Sequence, residues 1–244
     1  MIDTIARPLR ESFDAHRRFV LVSYGIAVVV CVVMAAAPYL VGFTPLFMYA
    51  DIGQFQGGLA GAATALSAFF LASTGVLFVV IGRQLAIVRA ERRNRWWYLI
   101  GCAFVFLALD ELLMWHERLT ARMEAWDVAR AFGFADQDAY IFIAYGLFAA
   151  LVGSRLLPTI STSRLTILPL IVAVTLFVLS TLVDLVPWSS LSRNQRGVLG
   201  PLEEGLKTLG SWSSLMYAVL LLEDVIGWPH QAQVVTRGQR RLKD

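Results

Sequence analysis

Residues 96–117 read WWYLIGCAFVFLALDELLMWHE. From Trp96 to Leu109 this run holds no charged side chain, and it then presents Asp110, Glu111, His116 and Glu117 in quick succession. A helix of about 20 apolar residues crosses the roughly 30 Å of bilayer hydrocarbon, so Trp96–Trp115 is long enough to span. Ionisable groups at one end of such a span are costly unless they face protein or water.

Five further stretches have the same character: Phe19–Leu40, Gly57–Gly82, Ala139–Pro158, Leu165–Pro187 and Pro201–Gly227. The composition agrees with them. The 244 residues are 57% hydrophobic and 16% charged. A soluble chain of this size still exposes about a quarter of its surface and is normally about 25% charged. The expected fold is therefore all-α, a polytopic membrane protein of six transmembrane helices. The organisation expected is an amphipathic segment over 1–18, a membrane domain over 19–227 and a polar tail over 228–244.

Basic residues set the orientation. Fifteen of the 21 Lys and Arg fall on one side of the six-span scheme, in the N-terminus, the second and fourth connections and the tail. Five fall on the other side and Lys207 lies within a span. The positive-inside rule then places both termini in the cytoplasm and predicts an inner-membrane protein. The net charge of +3 is accounted for by this asymmetry, so the bilayer is the expected partner and nucleic acid is not. No protein partner or oligomeric state follows from the sequence. Trp96, Trp97, Trp115, Trp188 and Trp228 sit at span ends, as interfacial tryptophans do.

The first span resembles a signal peptide in its basic flank and its Ala35-Ala36-Ala37 triplet. Its apolar run is longer than a signal h-region and Pro38 follows the triplet, so an uncleaved span is expected. Ile2, Ile5, Leu9 and Phe13, beside Arg7, Arg10 and Arg17, have the spacing of an interfacial helix. Leu119, Met123 and Trp126 repeat that spacing on the outer side. Cys31 and Cys102 lie within apolar runs and read as small apolar residues, with no disulfide and no Cys metal motif.

Intramembrane charge is concentrated in spans three, five and six. At 1.5 Å per residue, Asp110 lies about 21 Å from the inner interface, Asp184 about 28 Å from it, and Lys207 about 9 Å below the outer one. Glu203 and Glu204 lie above Lys207. Packing of these three spans against one another would enclose a polar pocket facing the periplasm. Simpler roles stay open for each group. Glu203 and Glu204, after Pro201, suit the first turn of a helix and its dipole. Lys207 has an i,i+4 partner in Glu203 and an interhelical one in Asp110. Asp184 suits an interfacial position, and His116 suits a helix C-terminus.

Two chemistries fit the cluster. Carboxylates and a histidine can ligate a divalent metal such as zinc, with His116, Glu117, Glu111 and Asp184 as donors. Asp110 and Glu117 are two turns apart, and Glu111 and His116 point to different faces. Such a site therefore needs several spans, or a helix that breaks before His116. The second chemistry is acid–base work by Glu203, Glu204, Asp110 and Lys207, serving hydrolysis or proton coupling. Glu204, Thr208 and Ser211 form one polar stripe on span six, and Glu203, Lys207, Gly210 and Ser214 form its neighbour. Small residues in span two, Gly57, Gly61 and Ala65, read as packing positions without a polar partner.

Glu203-Glu204-Gly205-Leu206-Lys207 resembles the Glu-Glu-x-x-Lys motif of PrsW-type intramembrane proteases. That resemblance covers five residues and implies a metal-dependent hydrolase with its active residues in transmembrane helices. The sequence departs from that pattern: only His230 follows the motif, on the opposite side of the membrane. The Asp110-Glu111…His116-Glu117 segment resembles uncharacterised bacterial multi-pass proteins. The leading expectation is a metal-assisted or acid–base hydrolase of a lipid or membrane peptide. The alternatives are a proton- or cation-coupled transporter and a non-catalytic assembly or sensor subunit.

Overall fold

A computed structural model describes residues 17–30, 32, 61–89, 95–116, 118, 119, 122, 138–156, 164–186 and 192–241. The described residues are helical throughout apart from short turns, with no strand among them. The helices are α1 (17–30), α2 (Ala62–Arg89), α3 (Arg95–Leu113), α4 (Asp138–Leu156), α5 (Arg164–Asp184) and α6 (Arg193–Arg241). Four stretches are long and apolar enough to cross a membrane: Ala62–Ile87, Arg95–Leu113, Thr166–Asp184 and Val198–Ile226. The apolar part of α4, Ile143–Leu156, is shorter. The first expected span is described only over 17–30 and 32. The two proposed interfacial segments lie almost wholly outside the described residues, as does Glu117.

Two helix starts differ from the sequence reading, each for a local reason. Helix α2 begins at Ala62 because Gly61 adopts φ 77°, open to glycine, while its carbonyl accepts the Ala65 amide at 2.8 Å. Helix α6 begins at Arg193, eight residues before Pro201. Ser192 and Gln195 form a capping box: the Gln195 Oε1 accepts from the Ser192 amide at 2.8 Å, and the Ser192 Oγ accepts from the Gln195 amide at 3.4 Å. Pro201 is thus inside the helix, where it lacks the amide that would bond the Gly197 carbonyl. Glu203 and Glu204 are correspondingly removed from the first turn, which has no acidic residue. The dipole explanation for the pair therefore falls. The helix also runs through Trp228 to Arg241, across the segment read as a polar tail.

The helix at the centre is α2, one of three that the sequence reading left without a functional part. It packs against both α3 and α6, and α5 packs against α6. Of the expected packing of spans three, five and six, the contact of five with six is direct, while three is joined to six through α2. Its buried side, Thr64, Ser67, Ala68, Leu71, Thr74, Phe78, Ile81 and Leu85, recurs every three or four residues. Phe69, Val76 and Ile87 point outward and are exposed, as suits lipid contact. The crossing with α3 is close. A Cβ at Gly75 would stand 2.6 Å from the Gly101 carbonyl oxygen, and one at Gly101 would stand 2.7 Å from that of Gly75. Helices in lipid associate through such close contact and through interhelical hydrogen bonds, because the surrounding tails are as apolar as the helices.

Candidate functional site

The α2–α6 crossing changes character along its length. At one end the packed side chains are polar: Thr64 and Ser67 on α2 meet Glu204 and Ser211 on α6. At the other end Phe78, Ile81, Leu85, Trp97, Tyr217 and Leu221 form an apolar cluster. The polar end also carries the last turn of α3, the first part of α4 and the last turn of α5.

Two charged centres form there. In the first, Lys207 Nζ lies 2.6 Å from Glu203 Oε1 and 3.1 Å from Glu204 Oε1. Both carboxylates are buried, and the lysine side chain keeps 22% of its exposure. Thr64 Oγ1 donates to Glu204 Oε2 at 3.4 Å. Glu111 of α3 and Asp184 of α5 also act electrostatically on Lys207. Two carboxylates of α6 thus pair with one ammonium, and one each from α3 and α5 act on it electrostatically. The i,i+4 pairing of Glu203 with Lys207 is observed. The alternative partner for Lys207, Asp110, is engaged elsewhere.

Asp110 builds the second centre. Helix α3 ends at Leu113, and Met114 turns the chain with φ 54°, a conformation that strains a non-glycine residue. The turn brings His116 back over Asp110. Asp110 Oδ1 accepts the His116 amide at 2.8 Å, while Oδ2 lies 3.1 Å from His116 Nδ1. Tyr145 on α4 donates its hydroxyl to the same Oδ2 at 3.0 Å. The carboxylate thus caps the broken helix and orients the imidazole together. With Nδ1–H donated to Asp110, the neutral ring carries its lone pair on Nε2.

The two centres are joined by adjacent residues. Asp110 and Glu111 project about 100° apart on α3, one to His116 and Tyr145, the other toward Lys207. Among the described residues, no group of three or more His, Cys, Asp and Glu side chains is arranged to hold a metal ion. Of the four expected metal donors, His116 is brought to Asp110, Glu111 and Asp184 act electrostatically on Lys207, and Glu117 lies outside the described residues.

Several participants were missed from sequence. Thr64 and Ser67 were read past because the expected span Gly57–Gly82 carries no charge, yet both are fully buried against α6. Their spacing with Leu71 and Thr74 was the available signal. Tyr145 had no signal, since its role depends on how α4 meets α3. Asp224 shows that charge is not confined to the polar end. It lies near the opposite end of α6 and accepts from Thr166 Oγ1 of α5 at 2.9 Å.

These features define a helical membrane-type bundle with an ionisable centre built at one end. The chain belongs to a family described as a domain of unknown function (DUF8692), whose family model matches residues 24–222. No curated protein and no solved structure matches it.

Proposed function

We propose that this protein is a six-span protein of a bacterial inner membrane, with both termini cytoplasmic, that hydrolyses a lipid or membrane peptide by acid–base chemistry at its acidic end. The observation that carries this reading is the linkage of an Asp–His pair to a carboxylate–lysine cluster through one turn of α3. In the proposed reaction, His116 Nε2 takes a proton from water and the resulting hydroxide adds to the substrate carbonyl. Glu203 or Glu204, protonated, gives its proton to the leaving oxygen or nitrogen as that bond breaks. Lys207 holds the two carboxylates and favours negative charge developing nearby. Asp110 fixes the imidazole and stabilises its protonated form. No step is assigned to a metal ion, because Lys207 stands among the carboxylates that would otherwise converge on one.

The closed apolar cluster below Ser214 favours this one-sided site over a transport path. Phe78, Trp97, Tyr217 and Leu221 fill the interior where a through-route would run. The test is product release from the full chain in lipid nanodiscs carrying a synthetic transmembrane peptide, followed by mass spectrometry. Wild-type protein is expected to release fatty acid, headgroup or peptide fragments, and E203Q/E204Q protein is expected to release none. Equal release by the double variant, or none by folded wild-type protein, overturns the reading. Proton flux into liposomes without hydrolysis would replace it with the transporter.

A further inference from the structure

At the end of the bundle opposite the acidic cluster, two arginines from different helices converge on one tryptophan. The Arg95 guanidinium carbon lies 5.6 Å from the Trp96 ring centroid, and that of Arg155 lies 5.9 Å from the same ring. Arg95 opens α3 and Arg155 lies in the last turn of α4. Among the described residues, the ion pairs involve neither arginine. Each makes a cation–π contact with the Trp96 ring, and both arginines are exposed.

Helices α3 and α4 touch at both ends of this face, through Trp96 and Arg155 at the arginines and through Phe106 and Tyr145 at the other end. Two rows of exposed apolar side chains descend from the arginines: Leu99 and Phe106 from Arg95, and Leu151 and Phe148 from Arg155. Phe106 and Tyr145 meet edge-to-face at 6.3 Å and close the far end. From Arg95 to Phe106 the groove descends about 16 Å, which is one leaflet of a roughly 30 Å hydrocarbon core.

We infer that the Arg95–Trp96–Arg155 corner binds the phosphate of an anionic phospholipid, with an acyl chain lying along the α3/α4 groove. Two guanidinium forks match phosphate oxygens, and the indole sits at the depth where tryptophan meets headgroups. The apolar rows complement the tail. Free phosphate would satisfy the arginines but leave those rows uncovered. The site rests on the membrane reading of the helices; its arginine corner lies at the end of α3 away from the proposed hydrolytic centre, and the groove ends at Tyr145, which donates to Asp110.

Native mass spectrometry of the full chain released from detergent, with phosphatidylglycerol or phosphatidylcholine added, tests this. Wild-type protein should retain phosphatidylglycerol in preference to phosphatidylcholine. R95Q/R155Q should lower that retention about tenfold or more, at roughly 1 kcal/mol per arginine. R83Q, at an exposed arginine of α2, should leave it unchanged. R95K/R155K, which keeps the charge and guards against misfolding, should lose only part of the binding. Equal losses in R83Q and R95Q/R155Q, no loss in R95Q/R155Q, or equal retention of the two lipids would overturn the proposal. Displacement of the lipid by inorganic phosphate at the same concentration would reduce the corner to a simple anion site and overturn it as well.

Discussion

Helices α2 and α6 pack along one crossing with opposite chemistry at its two ends. At the polar end, Thr64, Ser67, Glu204 and Ser211 meet through hydrogen bonds. At the other end, Phe78, Tyr217 and Leu221 meet through shape, with Phe78 and Tyr217 rings 6.0 Å apart and steeply inclined. The apolar end is held by ring and aliphatic packing, and its buried Tyr217 hydroxyl makes no hydrogen bond among the described residues. The charged groups of the polar end depend on one another, since an unpaired buried charge is far more costly than a lost apolar contact. Polar and apolar contacts are thereby separated along one pair of helices.

That separation can be broken most severely at Lys207. Lys207→Met leaves Glu203 and Glu204 buried side by side without their ammonium, and is expected to cost about 4 kcal/mol. Thermal unfolding in detergent should show the loss, and adding Glu203→Gln should recover part of it. A full loss that Glu203→Gln does not relieve would mean that the lysine acts by packing alone. Leu221→Ala at the apolar end should cost about 3 kcal/mol through the cavity it opens. The surviving folded protein should keep its turnover, measured per folded molecule. If turnover falls as steeply as stability, the two ends are not separable.

The smallest effect is expected at Ser67. Ser67→Ala removes the 2.9 Å contact with Ser211, and interhelical hydrogen bonds in lipid average about 0.6 kcal/mol. Ser211 retains its bond to the Lys207 carbonyl at 2.8 Å, which limits the loss. A change well above 1 kcal/mol in thermal unfolding would show that the polar end behaves as one network rather than as separate pairs.

Much of the helical order was legible in the sequence, because a membrane span is written in length and hydropathy. The pairing of Glu203 with Lys207 was legible for a similar reason, being set by helical spacing alone. The break before His116 appeared only as a condition that a site would require. The structure supplies it through Met114, a residue whose identity does not announce a left-handed turn. The start of α6 was hidden because Pro201 is the louder signal, although Ser192 and Gln195 carried the quieter capping pattern. The role of α2 was hidden for a deeper reason. Charge marked the helices to watch, whereas the helix that joins them contributes hydroxyls and a glycine, whose value depends on neighbours. Tyr145 and Asp224 are legible only once helices are placed.

The central claim is that His116, held by Asp110, performs proton transfer at the polar end. His116→Gln tests it most directly, because the substitution removes the imidazole while leaving the backbone amide that Asp110 caps. Hydrolytic turnover and thermal unfolding should be measured on the same nanodisc preparation. Turnover is expected to fall about 100-fold or more, the usual contribution of a positioned acid–base group, with stability changed by less than about 1 kcal/mol. Unchanged turnover in folded His116→Gln protein would contradict the claim.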